Sequence, residues 1–325
     1  MLSLSLYVSL AHAQYAVPID GRPNPEEREL HAWTNAVRVD PEAFALDYPC
    51  GIDSFQDDER LPERPLLWEA GLNEAARVHT QDMYDTGNFS HTSSDGTSFS
   101  TRVSEYYASG FVGENIAWNY PSPWSTMIEG WMCSSGHRAN IMDGSWEELG
   151  TGVVDAYSTQ DFGARGINQA DQPIRMAATS PAAPFDEAMF LADWYDPTGA
   201  GPARLQVVFA DKVVDLELTW GVPESGMYSV TLAVDGGCTT YVIEGETSTG
   251  RVVTFPEEGA YGFGSCGWDD AEAQWLSRDD NVVMVDDGVV RDWQAHMSPF
   301  GCATQPGLPG VGLVLGALAL LRRRR

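Results

Sequence analysis

The sequence predicts an α+β fold for the first half of the chain and a β-rich domain for much of the second half. Two observations support the α+β class: three amphipathic helical patterns lie between residues 24 and 131, and three short β-rich runs lie among and after them. A third observation sets the second half apart, because from residue 192 onward short β-rich runs follow one another with turn signals between them. Helices combined with a small sheet favour a layered domain.

The three helices are predicted from their start signals and their apolar spacing. Residues 24–27 (Asn-Pro-Glu-Glu) provide a capping side chain, a proline at the first turn and acids near the positive end of the helix dipole. The second helix should end near Gly87, and the third should begin at 122–123 (Ser-Pro). In order, their inward faces hold Leu30, Trp33 and Val37; Leu72, Ala75, Ala76, His79 and Met83; and Trp124, Met127, Ile128 and Trp131.

The predicted strands fall into two groups separated by a predicted linker. In the first half the strand-like runs are 114–118, 150–156 and 160–162. Residues 165–191 are rich in Ala, Pro, Ser and Gln without periodicity, which predicts a linker. Residues 192–295 are predicted to form a β-sandwich of immunoglobulin or fibronectin type from short runs at 205–209, 213–220, 227–234, 239–243, 251–255 and 261–264.

The charge of the chain excludes some classes of partner. The formal net charge is -28, from 47 acidic and 19 basic residues, and Lys212 is the only lysine. Nucleic acid is therefore not expected as a partner, because its phosphates need Lys and Arg. The acidic clusters lack the ligand spacing of a calcium loop, so we interpret the acidity as the solvated surface of an exported protein.

Both ends of the chain have the features of processing signals. Residues 2–10 are apolar and 11–13 read Ala-His-Ala, which predicts a signal peptide over 1–13. Residues 297–321 carry no charge, 308–321 are almost wholly apolar, and four arginines end the chain. The segment 297–325 resembles the myxobacterial C-terminal sorting signal. That resemblance implies a sorting role for Cys302, at least transient membrane contact, and localisation at the cell surface or outer envelope of a Gram-negative-type bacterium, with secretion as an alternative.

The cysteines are consistent with export. Cys50 and Cys133 lie in the first domain, Cys238 and Cys266 in the second, and Cys302 in the tail. Two disulfides are possible, and pairing within each domain is the simplest assignment. A cysteine-ligated metal site is not favoured, because no Cys-x-x-Cys spacing occurs.

Three short motifs in the first half each contain a residue that can bind a metal or move a proton. They are Phe-Ser-His-Thr-Ser at 89–93, Gly-Glu-Asn-Ile-Ala at 113–117 and Ser-Gly-His-Arg-Ala-Asn-Ile at 135–141, followed by Leu-Gly-Thr-Gly-Val at 149–153 and Tyr-Ser-Thr-Gln-Asp-Phe-Gly at 157–163. Together with Trp131, this order resembles the cysteine-rich secretory, antigen 5 and pathogenesis-related (CAP) family over 24–164. The resemblance implies a three-layer α-β-α sandwich with a central antiparallel sheet and an open cleft.

Two imidazoles and one carboxylate are the ligand set of an open zinc site. The resemblance places His91, Glu114 and His137 around the cleft, where they could bind Zn²⁺ or another divalent cation. Ser134 lies where many relatives carry a second glutamate, which makes the cleft less negative. Other interpretations stay open: Glu114 could hold loops together, His91 and His137 could be a water-bridged polar pair, and His79, like Trp118, Trp131 and Met83, is assigned to the core.

The leading hypothesis is an exported CAP-domain protein whose cleft binds a divalent metal, another small ligand or an envelope component, without catalysis. The first alternative is a hydrolase of peptide or cell-wall material, in which His91, Glu114 and His137 act with a metal or with a serine at position 90, 134 or 135. The second alternative is a lipid or sterol binder, which needs an exposed apolar groove.

Overall fold

A computed structural model gives the fold of the chain. It describes residues 23–166, 171–181, 186–209, 212–234, 239–257, 259–263, 275–276, 282–283 and 290–291. The helices are α1 (Pro25–Val39), α2 (Ala70–Thr86), α3 (Phe99–Ser104), a π-helix (Ser125–Trp131) and α4 (Ser135–Ile141). Short 3₁₀ turns lie at Pro41–Phe44, Ile52–Ser54 and Asp58–Arg60. The fold therefore has an α+β first half, as the sequence predicts.

The helix boundaries follow from local chemistry. At the start of α1, the Asn24 side chain accepts a 2.9 Å hydrogen bond from the Glu27 amide, and the Glu27 carboxylate accepts one of 2.8 Å from the Asn24 amide. This reciprocal pair satisfies two backbone donors that the helix leaves free. Helix α2 ends where Gly87 adopts a φ of 69°, a conformation that a residue with a side chain rarely takes. Both predicted helix signals are confirmed.

Four strands form the sheet of the first half. They are β1 (Leu67–Trp68), β2 (Val112–Trp118), β3 (Glu148–Val154) and β4 (Tyr157–Gly163), in the order β1-β3-β4-β2. The pairs β3/β4 and β4/β2 are antiparallel, whereas β1 joins β3 in parallel. The sheet thus includes one parallel pair beside its antiparallel core, and β2 is an edge strand.

Helix α2 lies very close to β3 because two glycines of that strand face it. A Cβ atom on Gly150 would come within 2.0 Å of the Asn73 amide nitrogen, and one on Gly152 within 2.6 Å of the Ala76 backbone. Thr80 of α2 donates a 2.8 Å hydrogen bond to the hydroxyl of Thr159, which lies on the next strand, β4. These contacts fix α2 over the sheet beside the predicted site.

The strands of the second half form further antiparallel sheets. One has the order β5-β6-β10-β9, and another has β14-β13-β11-β7-β8 with β12 on β11. Their bounds are β5 (Ala177–Ser180), β6 (Glu187–Tyr195), β7 (Arg204–Phe209), β8 (Val213–Asp215), β9 (Glu217–Val222), β10 (Ser225–Ala233), β11 (Thr239–Glu246), β12 (Val252–Phe255), β13 (Ala260–Phe263) and β14 (Trp275–Leu276), and a separate pair is β15 (Val282–Val283) and β16 (Val290–Arg291). The predicted β-rich runs are therefore strands.

The predicted linker over 165–191 needs correction. Strand β5 and the first half of β6 lie within it, and Ala177 and Ala178 are fully buried. Small side chains such as these carry little hydrophobic periodicity, so the sequence pattern does not reveal the strand. The β-rich part of the chain begins earlier than the predicted boundary at residue 192.

Helix α1 joins the two halves. It contacts β3 of the first sheet as well as β5, β6, β9 and β10. Asn35 donates a 2.5 Å hydrogen bond to the buried Asp193 carboxylate, and Trp33 lies edge-on to Trp220 with ring centroids 5.6 Å apart. One hydrophobic core runs through both halves around this helix.

The disulfide Cys50–Cys133 is present, as the assignment within the first domain predicts. Cys238, Cys266 and Cys302 lie outside the described residues, as do the predicted signal peptide and the C-terminal segment 297–325. Among the described residues, no helix is long and apolar enough to span a membrane.

Candidate functional site

The histidine of the first motif and the glutamate of the second are in direct contact. His91 lies in the loop between α2 and α3, and Glu114 lies on the edge strand β2. The His91 Nδ1 atom is 2.8 Å from Glu114 Oε1. The imidazole is 56% exposed, whereas the carboxylate is 1% exposed. A solvent-facing ring is thus held from behind by a buried acid.

An arginine that the sequence did not point to forms an ion pair with the second carboxylate oxygen of Glu114. Arg102 of α3 pairs through Nη2 with Glu114 Oε2, and its guanidinium is 4% exposed. The same side chain donates a 2.9 Å hydrogen bond to the Ser93 hydroxyl and one of 3.4 Å to the His91 carbonyl. Arg102 therefore neutralises the buried Glu114 and holds the loop that carries His91.

A second buried carboxyl group lies beside Glu114. Asp161 of β4 is the cross-strand partner of Glu114 in the antiparallel register and is fully buried. Burial, followed by the charge of Glu114, raises the pKa of Asp161 well above its ordinary value. Two acids this close are best accommodated when Asp161 keeps its proton.

His137 is positioned by a small amide network between β2 and α4. The Asn115 side chain donates a 3.2 Å hydrogen bond to the His137 carbonyl, and Asn140 donates one of 3.2 Å to the Glu114 carbonyl. Asn140 also donates to the Asn115 side-chain oxygen over 3.0 Å. The Gly-Glu-Asn and Ser-Gly-His motifs are therefore tied together through their asparagines, which the sequence reasoning did not assign.

The two histidines have opposite pKa shifts. The hydrogen bond that the Glu114 carboxylate accepts from the ring raises the pKa of His91. Burial lowers the pKa of His137, and the charge of His91 lowers it further. His137 therefore favours the neutral form, which can bind a metal or accept a hydrogen bond.

The other singled-out residues have simpler roles. Ser134 is the N-cap residue of α4 but makes no side-chain capping bond. Within the described part of the chain, neither Ser134 nor Ser135 hydrogen-bonds to a histidine, and the Ser90 hydroxyl accepts from the Thr92 amide over 3.1 Å. His79 is fully buried in α2, and burial lowers its pKa. The hydrolase and lipid-binding alternatives stay predictions.

The site departs from a simple three-ligand metal centre at Glu114. Both carboxylate oxygens are already engaged, one by His91 and one by Arg102. Within the residues that the structure describes, no group of three or more His, Cys, Asp or Glu side chains is arranged to hold a metal ion. Of the three predicted ligands, the exposed His91 ring and the neutral-leaning His137 ring are thus the donors best placed to reach a ligand.

Comparison with known proteins identifies the first half. Residues 32–165 match the family model described as CAP, the cysteine-rich secretory protein family. Among curated proteins, the uncharacterized membrane protein YlbC of Bacillus subtilis is 37% identical over 98 residues, covering 30% of this chain and 28% of YlbC. The uncharacterized protein YkwD of the same organism is 35% identical over 134 residues, covering 40% and 51%. The chain spans about half or less of the length of these relatives.

Solved structures with similar regions also contain such domains. An extracellular protein containing an SCP domain from Bacillus anthracis has 32% identity and a TM-score of 0.30, covering 32% of this chain and 35% of that one. A cysteine-rich secretory protein from Staphylococcus aureus has 18% identity and a TM-score of 0.30, covering 45% and 40%. On the family match and the three linked motifs, residues 32–165 form a CAP domain.

Proposed function

We propose that this chain is an exported protein whose CAP domain binds a divalent cation, with Zn²⁺ as the first candidate, through His91 and His137. The observation that supports the proposal most strongly is the hydrogen bond between His91 Nδ1 and the buried Glu114 carboxylate. A histidine that ligates a metal usually donates its other ring N–H to such a carboxylate. In this arrangement His91 would offer its Nε2 atom to a ligand.

Glu114 in this proposal orients His91 and is not itself a ligand, which revises the three-ligand set predicted from the sequence. Arg102 fixes the carboxylate from the other side, so the His91 ring cannot rotate without breaking a buried contact. His137 supplies the second donor, and its lowered pKa keeps that donor unprotonated. Two protein donors leave positions for water or a further small ligand.

Export is proposed from the disulfide. The Cys50–Cys133 bond links two distant parts of the CAP domain, and such bonds persist mainly in oxidising compartments. The predicted signal peptide over 1–13 points the same way. We also infer a three-layer arrangement, because α2 packs on the face of the sheet that holds Gly150, while Gln160 on the neighbouring strand donates to Thr34 of α1 over 2.6 Å.

Zinc titration of the chelator-stripped full chain by calorimetry tests the proposal. The wild type should bind about one equivalent of zinc, and His91→Ala or His137→Ala should abolish that binding. Because Glu114 orients His91 and is not itself a ligand in this proposal, Glu114→Gln should weaken zinc binding by roughly 10–100-fold without abolishing it. Circular dichroism checks that each variant is folded.

The control must account for the strongly acidic surface, which collects cations weakly. Asp53 and Asp57 are exposed acids, so the double variant Asp53→Asn, Asp57→Asn lowers the negative charge without changing the site. Its zinc affinity should equal that of the wild type. The proposal would be refuted if the wild type did not bind zinc, or if zinc binding survived both histidine substitutions.

A further inference from the structure

Four aromatic rings form a continuous row on the surface of the CAP domain, three of them exposed and the fourth, Tyr157, half-buried. Tyr84 at the end of α2, Phe89 in the following loop and Trp118 at the end of β2 are 47%, 46% and 54% exposed. Tyr157 at the start of β4 lies between Tyr84 and Trp118, with ring centroids 6.3 and 6.0 Å away. Phe89 extends the row, 6.4 Å from Trp118. The sequence assigned Trp118 to the core, and that assignment is wrong.

The register explains why these rings meet at the surface. Trp118 and Tyr157 are directly paired across β2 and β4, next to the turn that joins β3 to β4. Tyr84 reaches the row because α2 packs along this face of the sheet and ends beside that turn. Isolated exposed aromatic residues are ordinary, but a contiguous set of this size indicates a binding surface.

The geometry of the rings selects the type of ligand. The planes of Trp118 and Tyr157 are inclined by 23°, whereas the Tyr84 ring lies at 84° to Tyr157 and the Phe89 ring at 43° to Trp118. Aromatic cages for cations enclose their ligand, whereas these rings lie open to solvent. The Trp118 ring, which is the most exposed of the four, fits a ligand with an apolar face and a polar edge, such as the pyranose ring of a sugar.

The charge around the row excludes anionic ligands. Close to the rings in sequence lie four exposed residues that are acidic or neutral, besides the exposed His91, and the chain carries a net charge of -28. Carboxylates and amides beside an aromatic surface can bind sugar hydroxyls, and the carboxylates repel phosphates and anionic lipids. These flanking residues are Asp85, Asn88, Asn119 and Asp155.

We propose that the row formed by Tyr84, Tyr157, Trp118 and Phe89 is a binding platform for a neutral glycan chain. The row leads towards the histidine site, because Trp118 lies four residues from Glu114 on the same face of β2, about 13 Å along the strand. Phe89 precedes His91 by two residues in the loop. A short oligosaccharide on the platform would therefore lie beside the histidines. The platform does not depend on metal binding there.

Calorimetric titration of the full chain with the neutral tetrasaccharides chitotetraose, cellotetraose and maltotetraose tests the platform. At least one should bind, and Trp118→Ala should weaken that binding about ten-fold or more, because a stacked aromatic contact is lost. Tyr84→Ala, at the end of the row, should weaken it less. The affinity should be the same for the chelator-stripped chain and in the presence of zinc, which separates this proposal from the proposed cation site.

The matched control is Tyr106→Ala. Tyr106 is also an exposed aromatic residue, at 40%, but its backbone contacts Gly71 near the start of α2. It therefore lies about 20 Å along the helix from Tyr84. Its removal should not change glycan affinity.

Three results would overturn the proposal. The first is that none of the three tetrasaccharides binds at millimolar concentration, and the second is that Trp118→Ala binds as well as the wild type. The third is concentration-dependent self-association that Trp118→Ala abolishes in sedimentation velocity, since a second copy of the chain would then be the occupant of the row. Circular dichroism of each variant ensures that lost binding is not lost folding.

Discussion

Removing one partner of the buried ion pair between Arg102 and Glu114 should be among the most destabilising single changes in the CAP domain. We predict that Arg102→Met, which keeps most of the aliphatic length and removes the charge, lowers the free energy of unfolding by about 3–5 kcal/mol. The reason is the position of Glu114, whose side chain is 1% exposed and lies beside a second buried acid, Asp161. Removing Arg102 leaves that carboxylate charge without compensation.

The expected loss of unfolding free energy depends on the burial of the ion pair, so a matched exposed ion pair is the control. Arg60 and Glu42 form an ion pair of 3.0 Å in which the side chains are 32% and 60% exposed. The same substitution at Arg60 should cost no more than about 1 kcal/mol, since solvent screens the pair and long side chains lose entropy in forming it. The comparison separates the effect of burial from that of charge removal.

Urea unfolding at neutral pH, followed by circular dichroism, measures both costs. A double-mutant cycle with Glu114→Gln isolates the interaction, because a neutral amide at position 114 no longer needs Arg102. The double variant should lose less stability than the sum of the two single variants, by at least about 1 kcal/mol. A cost for Arg102→Met as small as that for Arg60→Met, or full additivity in the cycle, would refute the reasoning.

Three further predictions concern titration and cross-linking. Glu114→Gln should lower the pKa of His91, because the hydrogen bond to the carboxylate raises it; an NMR titration midpoint that stays or moves upward would contradict this. Burial raises the pKa of Asp193 to about 7, so its contribution to stability is complete below the unfolded pKa near 4 and is lost as the pH rises through about 7. Asp193→Asn should remove that part of the pH dependence, and parallel unfolding curves for the two proteins between pH 4 and 7 would contradict the assignment. Replacing Cys50 and Cys133 by serine opens a loop with a sequence separation of 83 and should lower the free energy of unfolding by about 4 kcal/mol. Reductant should lower the unfolding midpoint of the wild type more than that of the double variant, and an equal shift in the two proteins would argue against this bond.

Local signals in the sequence predict α1 and α2 well, because their start and stop signals lie in neighbouring residues, but the short helices α3 and α4 were not predicted. The cap at Asn24 and the glycine stop at Gly87 both act within one helical turn, and both appear in the structure. The third helix was predicted only as a helix, since apolar spacing does not distinguish the observed π-helix (Ser125–Trp131) from an α-helix. The small buried residues of β5 gave no periodic signal at all.

The site was predicted in part, for a related reason. The histidines and Glu114 stand in recognisable motifs, but their partners Arg102 and Asp161 do not. Asp161 meets Glu114 only through the register of two strands distant in the sequence, and Arg102 reaches it from a separate short helix. Contacts of this range depend on the completed fold and cannot be read from spacing along the chain. Trp118 was assigned to the core because of its residue type alone, and the structure shows it exposed.

The position of α1 between the two halves has a practical consequence for dissecting the protein. The helix packs against both halves: it contacts Gln160 of the CAP domain, and it contacts Asp193 and Trp220 of the β-rich half. A fragment that stops at the end of the CAP domain would leave Asn35 without its buried carboxylate partner and turn one face of Trp33 towards water. The two halves should therefore unfold as a single cooperative unit. Part of the stability of the CAP domain comes from strands that the family match does not include.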